Sequence, residues 1–166
     1  PNGSTVTYKF PSRGSQPAVD VKWIEGPRLP KAPTGDDWDI KGNGGFIMVG
    51  EKGGISHDGM RPNSPRLYPK SRWEDYRKNA NERVPKTLKR VPGIHNDWVN
   101  GIRNSEMTVS DFSYSGPLTE SIILGTLAIR TGKGLEWNAK DMKISDNKEA
   151  AALIDVEARK GWRPSD

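Results

Sequence analysis

Residues 121–146, SIILGTLAIRTGKGLEWNAKDMKISD, carry the strongest structural pattern in this chain. Around a helical period of 3.6 residues, the apolar side chains of this region project in almost every direction: Leu118, Ile122, Ile123, Leu124, Leu127 and Ile129. A helix that is apolar on all sides is usually buried. The pattern therefore predicts a mostly buried helix over residues 117–131 that packs across a β-sheet.

Both ends of this helix are marked in the sequence. Gly116 and Pro117 indicate its start, because the missing N–H of proline costs nothing at the first helical position, and Glu120 suits the positive end of the helix dipole. Gly132 can adopt the left-handed conformation that closes a helix, and Arg130 suits the negative end. Small residues recur on one side of the helix: Ser121, Gly125 and Ala128. Such a row allows another backbone to approach closely.

The residues after the helix predict two short strands and a last helix. Residues 135–137 and 142–144 have strand character and are joined by a polar turn. Asp146, followed three residues later by Glu149, resembles a capping box and predicts a final helix that Gly161 ends. The order in this part of the chain is therefore helix, strand, strand, helix.

The N-terminal half is rich in β-structure signals. Residues 5–10 and 18–23 alternate between apolar and polar side chains and predict two paired strands. Residues 46–50 and 54–57 predict a second hairpin around the turn at 51–53. Between these hairpins, residues 26–45 are rich in proline and glycine and predict a long surface loop.

Length and composition limit the class of protein. The 166 residues are enough for one domain over 1–166 with its own core, and too few to predict a division into two domains. The chain has no cysteine, which removes disulfides and zinc-thiolate sites, and no apolar run long enough to span a membrane. It starts at Pro1 without a signal peptide, so we expect it to be a piece of a longer polypeptide.

The middle of the chain is basic, and we predict it to be helical. Residues 61–90 contain three acids and ten basic residues, a balance of +7 against +5 for the whole chain. The basic residues are Arg61, Arg66, Lys70, Arg72, Arg77, Lys78, Arg83, Lys86, Lys89 and Arg90. The ordinary interpretation of this basic run is a solvated surface, and the more specific one is a surface that binds an anionic substrate or partner. The few aromatic residues of this segment are not interleaved as a stacking platform, so we expect no nucleic-acid binding.

A further helix is predicted over residues 94–103. It places Ile94, Trp98 and Ile102 one turn apart on one face. His95, near its start, has a side chain that titrates near neutral pH and could act in acid–base or metal chemistry. His57 is the only other histidine and no metal-type spacing exists, so a packed, hydrogen-bonded histidine is the favoured interpretation and no metal site is expected.

Several catalytic and nucleotide-binding motifs are excluded. Residues 131–134, TGKG, close a helix and lack Ser or Thr after the lysine, so they form no P-loop. Residues 42–45, GNGG, precede a strand instead of following one and have Ile47 where a dinucleotide motif needs its third glycine. The neighbouring acids Asp36 and Asp37 lie in a predicted loop and do not define a catalytic separation. The residues themselves thus indicate a basic α+β domain without a complete active site.

Eight segments, in chain order, resemble a known enzyme family. They are STVTYKFP (4–11), VKWIEG (21–26), VGEKG (49–53), RLYP (66–69), PGIHNDW (92–98), GPLTE (116–120), RTGKGLEW (130–137) and RKGW (159–162). Together they are similar to the C-terminal half of the glucose–fructose oxidoreductase/inositol dehydrogenase (Gfo/Idh/MocA) family. The likeness is to its bacterial branch, whose members often have a twin-arginine export signal.

The resemblance implies a fold and a parent activity. The implied domain is α+β, with an open, mainly antiparallel β-sheet backed on one face by helices, as in the dihydrodipicolinate-reductase-like C-terminal domain. The other face of the sheet commonly packs against a second subunit, so a homo-oligomer through the sheet face is expected. The parent is then an oxidoreductase that uses NAD or NADP on a sugar, polyol or related carbohydrate, in the cytoplasm or the periplasm.

The family's catalytic parts have no counterpart in this chain. Its Rossmann domain, its Glu-Lys-Pro segment with the catalytic lysine, and the Asp and His of the next helix all precede the matched region. Neither histidine here fits that last motif, because Gly53 and Val91 stand four residues before His57 and His95 where aspartate is needed. We therefore expect no catalytic residue and no cofactor-binding residue in these 166 residues, and neither NAD binding nor turnover by the chain alone.

The resemblance implies that the chain lines a sugar or polyol pocket. Candidate substrate contacts are His57, Arg61, Arg66 and His95, since each offers hydrogen-bond donors near a predicted strand or helix end. Two other functions stay open. Some members of the family cleave glycosidic bonds through transient oxidation by bound NAD, and product analysis separates that activity from net oxidation. A non-enzymatic basic module that binds anions or partners is the third possibility, which substitution of Arg72, Arg77 and Lys78 would test.

Overall fold

The computed structural model describes residues 2–27, 44–61, 64–79, 83–154 and 156–162. They form an α+β structure with antiparallel sheets, as predicted. The elements in chain order are β1 (Ser4–Phe10), β2 (Val19–Glu25), β3 (Gly45–Gly50), β4 (Gly53–Asp58), β5 (Arg66–Tyr68), α1 (Lys70–Lys78), α2 (Ile94–Asn104), α3 (Phe112–Thr131), β6 (Trp137–Asn138), β7 (Lys143–Ile144) and α4 (Lys148–Ala151). In the described ranges the strands fall into three sheets, β1-β2, β3-β4-β5 and β6-β7. No helix in these ranges is long and apolar enough to cross a membrane.

The chain divides into two compact units. The first unit comprises Pro1–Gly3 and Ile24–Leu88, and the second comprises Ser4–Trp23 and Lys89–Asp166. Most of the long loop predicted over 26–45, including Asp36 and Asp37, lies outside the described residues.

The first unit contains the sheet β3-β4-β5. Strands β3 and β4 form the predicted hairpin, with Gly50 paired to Gly53 across the turn. Strand β5 adds to β4 with Ser56 opposite Arg66, and α1 follows β5 and packs on it. The helical prediction for the whole basic middle was wrong, because α1 ends at Lys78 and residues 83–93 form neither helix nor strand. Pro85 and Pro92 in that segment have no N–H to continue a helix.

The second unit is organised around α3. Strand β1 alternates half-buried Val6 and Tyr8 with exposed neighbours, and the half-buried side chains meet α3 at Gly125. The C-terminal elements β7 and α4 pack together, and α4 also packs on α3. The buried hydrophobic residues of the described chain all belong to this unit: Leu127, Ile144 and Ala150, with Leu124, Leu135, Trp137, Ala151 and Leu153 packed around them.

Helix α3 starts five residues earlier than Pro117, so the predicted start was wrong. Asp111 is the N-cap: its side chain accepts a hydrogen bond from Ser113 N, and its main-chain oxygen accepts from Tyr114 N and Ser115 N. These bonds satisfy the free N–H groups of the first turn, which lets the helix begin before the proline. The predicted end is confirmed, since Gly132 closes the helix in the left-handed conformation with φ 64°.

The expectation that α3 is mostly buried was also wrong. Only Gly125 and Leu127 are buried in it. Four of the apolar residues that predicted burial are exposed: Leu118, Ile122, Ile123 and Ile129. The reason is that neighbours cover two sides of the helix, β1 at Gly125 and the C-terminal elements at Leu127, and the remaining sides face solvent.

The small-residue row has a different partner from the one predicted. A Cβ added at Gly125 would overlap the Tyr8 hydroxyl and lie 3.0 Å from Tyr8 Cζ, so a side chain of β1, not another backbone, uses the gap. Burial raises the pKa of the Tyr8 phenol above its ordinary value.

The two strands predicted after α3 are present as β6 and β7, but the last helix differs from its prediction. Asn147 caps α4 by accepting from Ala150 N, whereas the Asp146 carboxylate accepts from Glu136 N and ties the loop before β6. Helix α4 ends at Ala151 instead of Gly161. The N-cap is therefore one residue later than predicted, because Asp146 is engaged elsewhere, and Glu149 no longer occupies the third helical position that a capping box needs.

Candidate functional site

Three of the four predicted substrate contacts lie in the first unit. His57 is in β4, Arg66 is the first residue of β5, and Arg61 follows β4 in a bend. His95 lies in the second unit, in the first turn of α2. The structure therefore places His57, Arg61 and Arg66 in one unit and His95 in the other.

His57 is buried in the sheet. Its ring stacks on Phe46, its direct cross-strand neighbour in β3, with 5.8 Å between ring centroids and 18° between planes. Cross-strand ring pairs of this kind stabilise a sheet. In this arrangement the imidazole packs inside the unit, and a solute reaches it only if Phe46 or another covering residue moves.

Arg66 and His57 point to opposite faces of the sheet. Arg66 is paired with Ser56, and paired residues of antiparallel strands share a face, whereas successive residues of one strand alternate. Ser56 is buried on the Arg66 side, and Arg66 is exposed. A ligand on one face of this sheet therefore meets the guanidinium group or the imidazole, but not both.

Arg61 is exposed beyond the end of β4. The chain turns there at Gly59, whose φ of 92° suits glycine, and Gly59 N donates to Gly44 O at 2.9 Å. This hydrogen bond extends the β3–β4 pairing by one step and fixes where the bend starts. Arg61 therefore lies at the surface, at the open end of the β3–β4 hairpin.

His95 is exposed, so the expectation of a packed, hydrogen-bonded histidine was wrong for it. The side of α2 that is covered carries Asp97 instead. Because successive helical residues lie about 100° apart, burying Asp97 leaves His95 at the surface.

Asp97 is the polar site that the sequence analysis did not single out. Its Oδ2 accepts from Val109 N at 2.8 Å, and its Oδ1 lies 3.9 Å from Lys89 Nζ. Lys89 Nζ also lies 3.6 Å from a carboxylate oxygen of Glu106. These contacts join α2 to the segments before and after it, which is a structural role. An acid in the first turn of a helix is ordinary, so the sequence held no signal for its burial.

A second polar contact holds the C-terminal elements to α3. Trp137 Nε1 donates to the carboxylate of Glu120, a bond that is half-buried. Glu120 was predicted to serve the helix dipole, but α3 begins at Phe112, so this residue lies beyond the first turn. It anchors β6 instead.

The described residues do not fit a dinucleotide. Such a site needs a strand, a glycine-rich turn and a helix N-terminus with free N–H groups. In the described ranges, β5 leads into α1 through Pro69 and β7 leads into α4 through Asn147, whose side chain caps that helix. The N-terminus of α3 is occupied by the Asp111 carboxylate. No step of a reaction is therefore assigned to NAD in this chain. Nor do three His, Cys, Asp or Glu side chains of the described chain converge to hold a metal.

The Asp111 carboxylate is electrostatically adapted to its capping role. Hydrogen bonds from Ser113, first from its side chain and then from its backbone, lower the pKa of Asp111. The negative charge also interacts favourably with the positive end of the helix dipole. This end of α3 is therefore a poor place for an anionic ligand.

Comparison with protein-family models, with curated proteins and with solved structures finds no match for this chain. The likeness to the Gfo/Idh/MocA family therefore rests on the eight sequence segments alone.

Proposed function

We propose that this chain is the substrate-binding and subunit-contact part of an NAD(P)-dependent oxidoreductase of the Gfo/Idh/MocA type that acts on a sugar, polyol or related carbohydrate. The observation that carries the proposal is the run of eight segments, from residues 4–11 to 159–162, in the order of that family's C-terminal half. The α+β structure with antiparallel sheets agrees with this assignment.

In this proposal the chain supplies donors for sugar hydroxyl groups. Arg66, exposed on β5, and Arg61, exposed past β4, each present a guanidinium group with five N–H donors. His57 points to the other face of the sheet from Arg66 and contributes indirectly, by stacking on Phe46 and holding the β3–β4 hairpin. His95 belongs to the other unit and serves as a separate contact. Cofactor binding and proton transfer fall to other parts of the parent enzyme.

The coding DNA ahead of the Pro1 codon tests the parent activity. A strand, a Gly-x-Gly-x-x-Gly turn, a helix and a later Glu-Lys-Pro segment, within about 150–200 codons, are expected. An initiator codon directly ahead of the Pro1 codon would contradict the proposal that the parent is such an enzyme.

Ligand binding by the isolated chain provides a second test. Calorimetry with NAD⁺ and NADH should detect no tight binding, and tight binding would contradict the proposal. Ligand-observed NMR with a panel of sugars and polyols should show weak binding that R66A or R61A reduces. The matched control is R13A, an exposed arginine of the second unit. Binding that all three variants retain would remove Arg61 and Arg66 from the site.

Product analysis of the parent distinguishes net oxidation from NAD-dependent glycoside cleavage.

The basic segment favours a second candidate, a module that binds anions without catalysis. Helix α1 carries Lys70, Arg72, Arg77 and Lys78 at the surface, and the Arg72 side chain also lies against β4, where a Cβ on Gly53 would meet its Nη1 at 2.6 Å. Substituting Arg72 would therefore disturb packing as well as charge. The sharper test is the triple variant K70A/R77A/K78A, which should weaken binding of a polyanion such as heparin; unchanged affinity would exclude the module.

A further inference from the structure

Residues 83–90 form an exposed connection in the middle of the chain. All eight residues are exposed, including the apolar side chains of Val84 and Leu88, which are 75% and 79% exposed. The segment contains neither helix nor strand, and the chain passes from the first unit to the second between Leu88 and Lys89. Exposed connections of this kind are preferred places for proteolytic cleavage.

The main chain of this connection is open to an enzyme. Among the described residues, its one main-chain hydrogen bond runs from Val84 N to the Tyr76 hydroxyl at 3.2 Å, and that bond is exposed. An endopeptidase binds its substrate as an extended strand that pairs with a strand of the enzyme. Residues 83–90 supply four residues on each side of the bond between Lys86 and Thr87, and extending them breaks no helix or sheet.

Four basic residues of the connection are candidates for the residue before the cut bond: Arg83, Lys86, Lys89 and Arg90. In an extended chain, the N–H groups of residues two apart point to the same edge. The edge that pairs with the enzyme therefore carries the N–H of the residue before the cut bond and of the residues two before and two after it. A bond is cut well only where these N–H groups are present.

Two prolines separate the candidates. A cut after Arg83 places Pro85 two residues further on, and a cut after Arg90 places Pro92 there. Proline has no N–H, so each of these bonds loses a hydrogen bond to the enzyme. A cut after Lys86 leaves Pro85 on the opposite edge, where its missing N–H costs nothing.

Ion pairs separate the two lysines. Lys89 Nζ lies 3.9 Å from Asp97 Oδ1 and 3.6 Å from a carboxylate oxygen of Glu106. Lys89 must leave both carboxylates before its side chain can enter the pocket of a protease. The ion pairs of the described chain use Lys89 and Lys133, and Lys86 makes none there. The bond after Lys86 is therefore the one that the fold leaves open.

Both products of a cut after Lys86 contribute to the second unit. The N-terminal product contains β1 and β2, and the C-terminal product contains α2, α3 and the elements that follow. Strand β1 packs on α3, where Tyr8 and Val6 lie against Gly125. These contacts do not depend on the cut bond, so they hold the two products together.

We propose that the bond between Lys86 and Thr87 is a processing site for an endopeptidase that cleaves after basic residues, and that the cleaved chain remains one folded protein of two chains. Water adds across the bond, so that Lys86 gains an α-carboxylate and Thr87 an α-ammonium group. The cleavage needs neither the sugar nor the cofactor of the proposed enzyme, so its failure would leave the proposed function standing.

Limited digestion with trypsin tests which bond is cut. Mass spectrometry distinguishes C-terminal fragments that begin at Val84, Thr87, Arg90 or Val91. The fragment that begins at Thr87 should form at least about tenfold faster than the other three, since one hydrogen bond to the enzyme corresponds to about that factor in rate. Equal or faster formation of any of the other three would overturn the proposal.

Two variants test the site itself. K86Q removes the basic side chain, and T87P places a proline directly after the cut bond, which trypsin does not accept. Each should reduce cleavage after position 86 at least about tenfold. The matched control is K140Q, at an exposed lysine in the turn between β6 and β7, which should leave this cleavage unchanged. Undiminished cleavage at this position in K86Q or T87P would overturn the assignment. Far-UV circular dichroism confirms that each variant is folded.

Gel filtration of the briefly digested chain tests the two-chain product. The products cut after Lys86 should elute together in native buffer and separate in denaturant. Tyr8→Ala removes the half-buried ring that meets α3 and should weaken the association of the products at least about tenfold. The matched control, Tyr114→Ala, changes a tyrosine of α3 that is 66% exposed and should leave the association unchanged. Products of the native chain that elute separately would overturn the two-chain product.

Discussion

Helices α2 and α3 differ in the kind of residue that each buries. Helix α3 buries Gly125 and Leu127 between β1 and the C-terminal elements. Helix α2 buries a carboxylate, that of Asp97, and exposes Ile94, Trp98 and Ile102. Both sequences predict helices correctly. The comparison teaches that an apolar pattern selects a helix, while the neighbours that reach it decide which side is covered.

The largest expected effect is in the core of α3. Leu127→Ala removes buried methyl groups between α3 and the C-terminal elements and should lower the free energy of unfolding by about 2–5 kcal/mol. Ile123→Ala, on an exposed side of the same helix, should change it by less than about 0.5 kcal/mol. Urea denaturation followed by circular dichroism measures both. Equal effects would mean that α3 is covered alike on both sides.

The next effect concerns the hydrogen bond from Val109 N to the buried Asp97 carboxylate of α2. Asp97→Ala leaves Val109 N without its acceptor and should cost about 1–3 kcal/mol of unfolding free energy. Asp97→Asn keeps an acceptor and loses mainly the contact with half-exposed Lys89, so it should cost less than about 1 kcal/mol. Urea denaturation ranks the two variants. If the alanine variant is as stable as the native chain, the bond between Asp97 and Val109 does not hold α2.

Two glycines of α3 sharpen the contrast between its sides. Gly125→Ala places a methyl group against Tyr8 and should destabilise by a net amount of about 1–2 kcal/mol. Gly116→Ala meets nothing within 4 Å apart from its chain neighbours, but the Pro117 ring disfavours a helical residue with a Cβ just before it, which offsets the gain in helix propensity, so the net change should be below about 0.5 kcal/mol. Thermal melts measure both changes. Adding Tyr8→Phe, which removes the clashing hydroxyl, should recover part of the Gly125→Ala loss; no recovery would argue against the contact.

The smallest effect is a pH dependence at the start of α3. The lowered pKa of Asp111 means that its cap stabilises the fold above the unfolded pKa, about 3.9, and that this contribution is lost as pH falls through the folded pKa. Asp111→Asn caps the helix without titrating. Below about pH 4, the melting temperature of the native chain should therefore fall relative to that of this variant. A pH-independent difference would contradict the capping role.

The candidate site was predictable only in part. The hairpin that carries His57 and the strand at Arg66 follow from local alternation and turn residues. Their opposite faces depend on the register, Ser56 opposite Arg66, which local sequence does not specify when polar and apolar residues both occur on each face. The exposure of His95 contradicts the packed histidine that was predicted there, and the burial of His57 was not predicted, because each depends on long-range packing.

Local chemistry in the sequence determined the class of fold, the β3–β4 hairpin, helix α2, the Asp111 cap at the start of α3 and the left-handed close at Gly132, since these depend on neighbouring residues. Tertiary structure decided which residues are buried. It placed Tyr8 against Gly125, and drew Asp97 inward while leaving Trp98 outside. The physical reason is that a backbone N–H bonds to whichever distant acceptor reaches it, and the space beside a glycine is filled by whichever distant side chain reaches it. Periodicity carries no information about either partner.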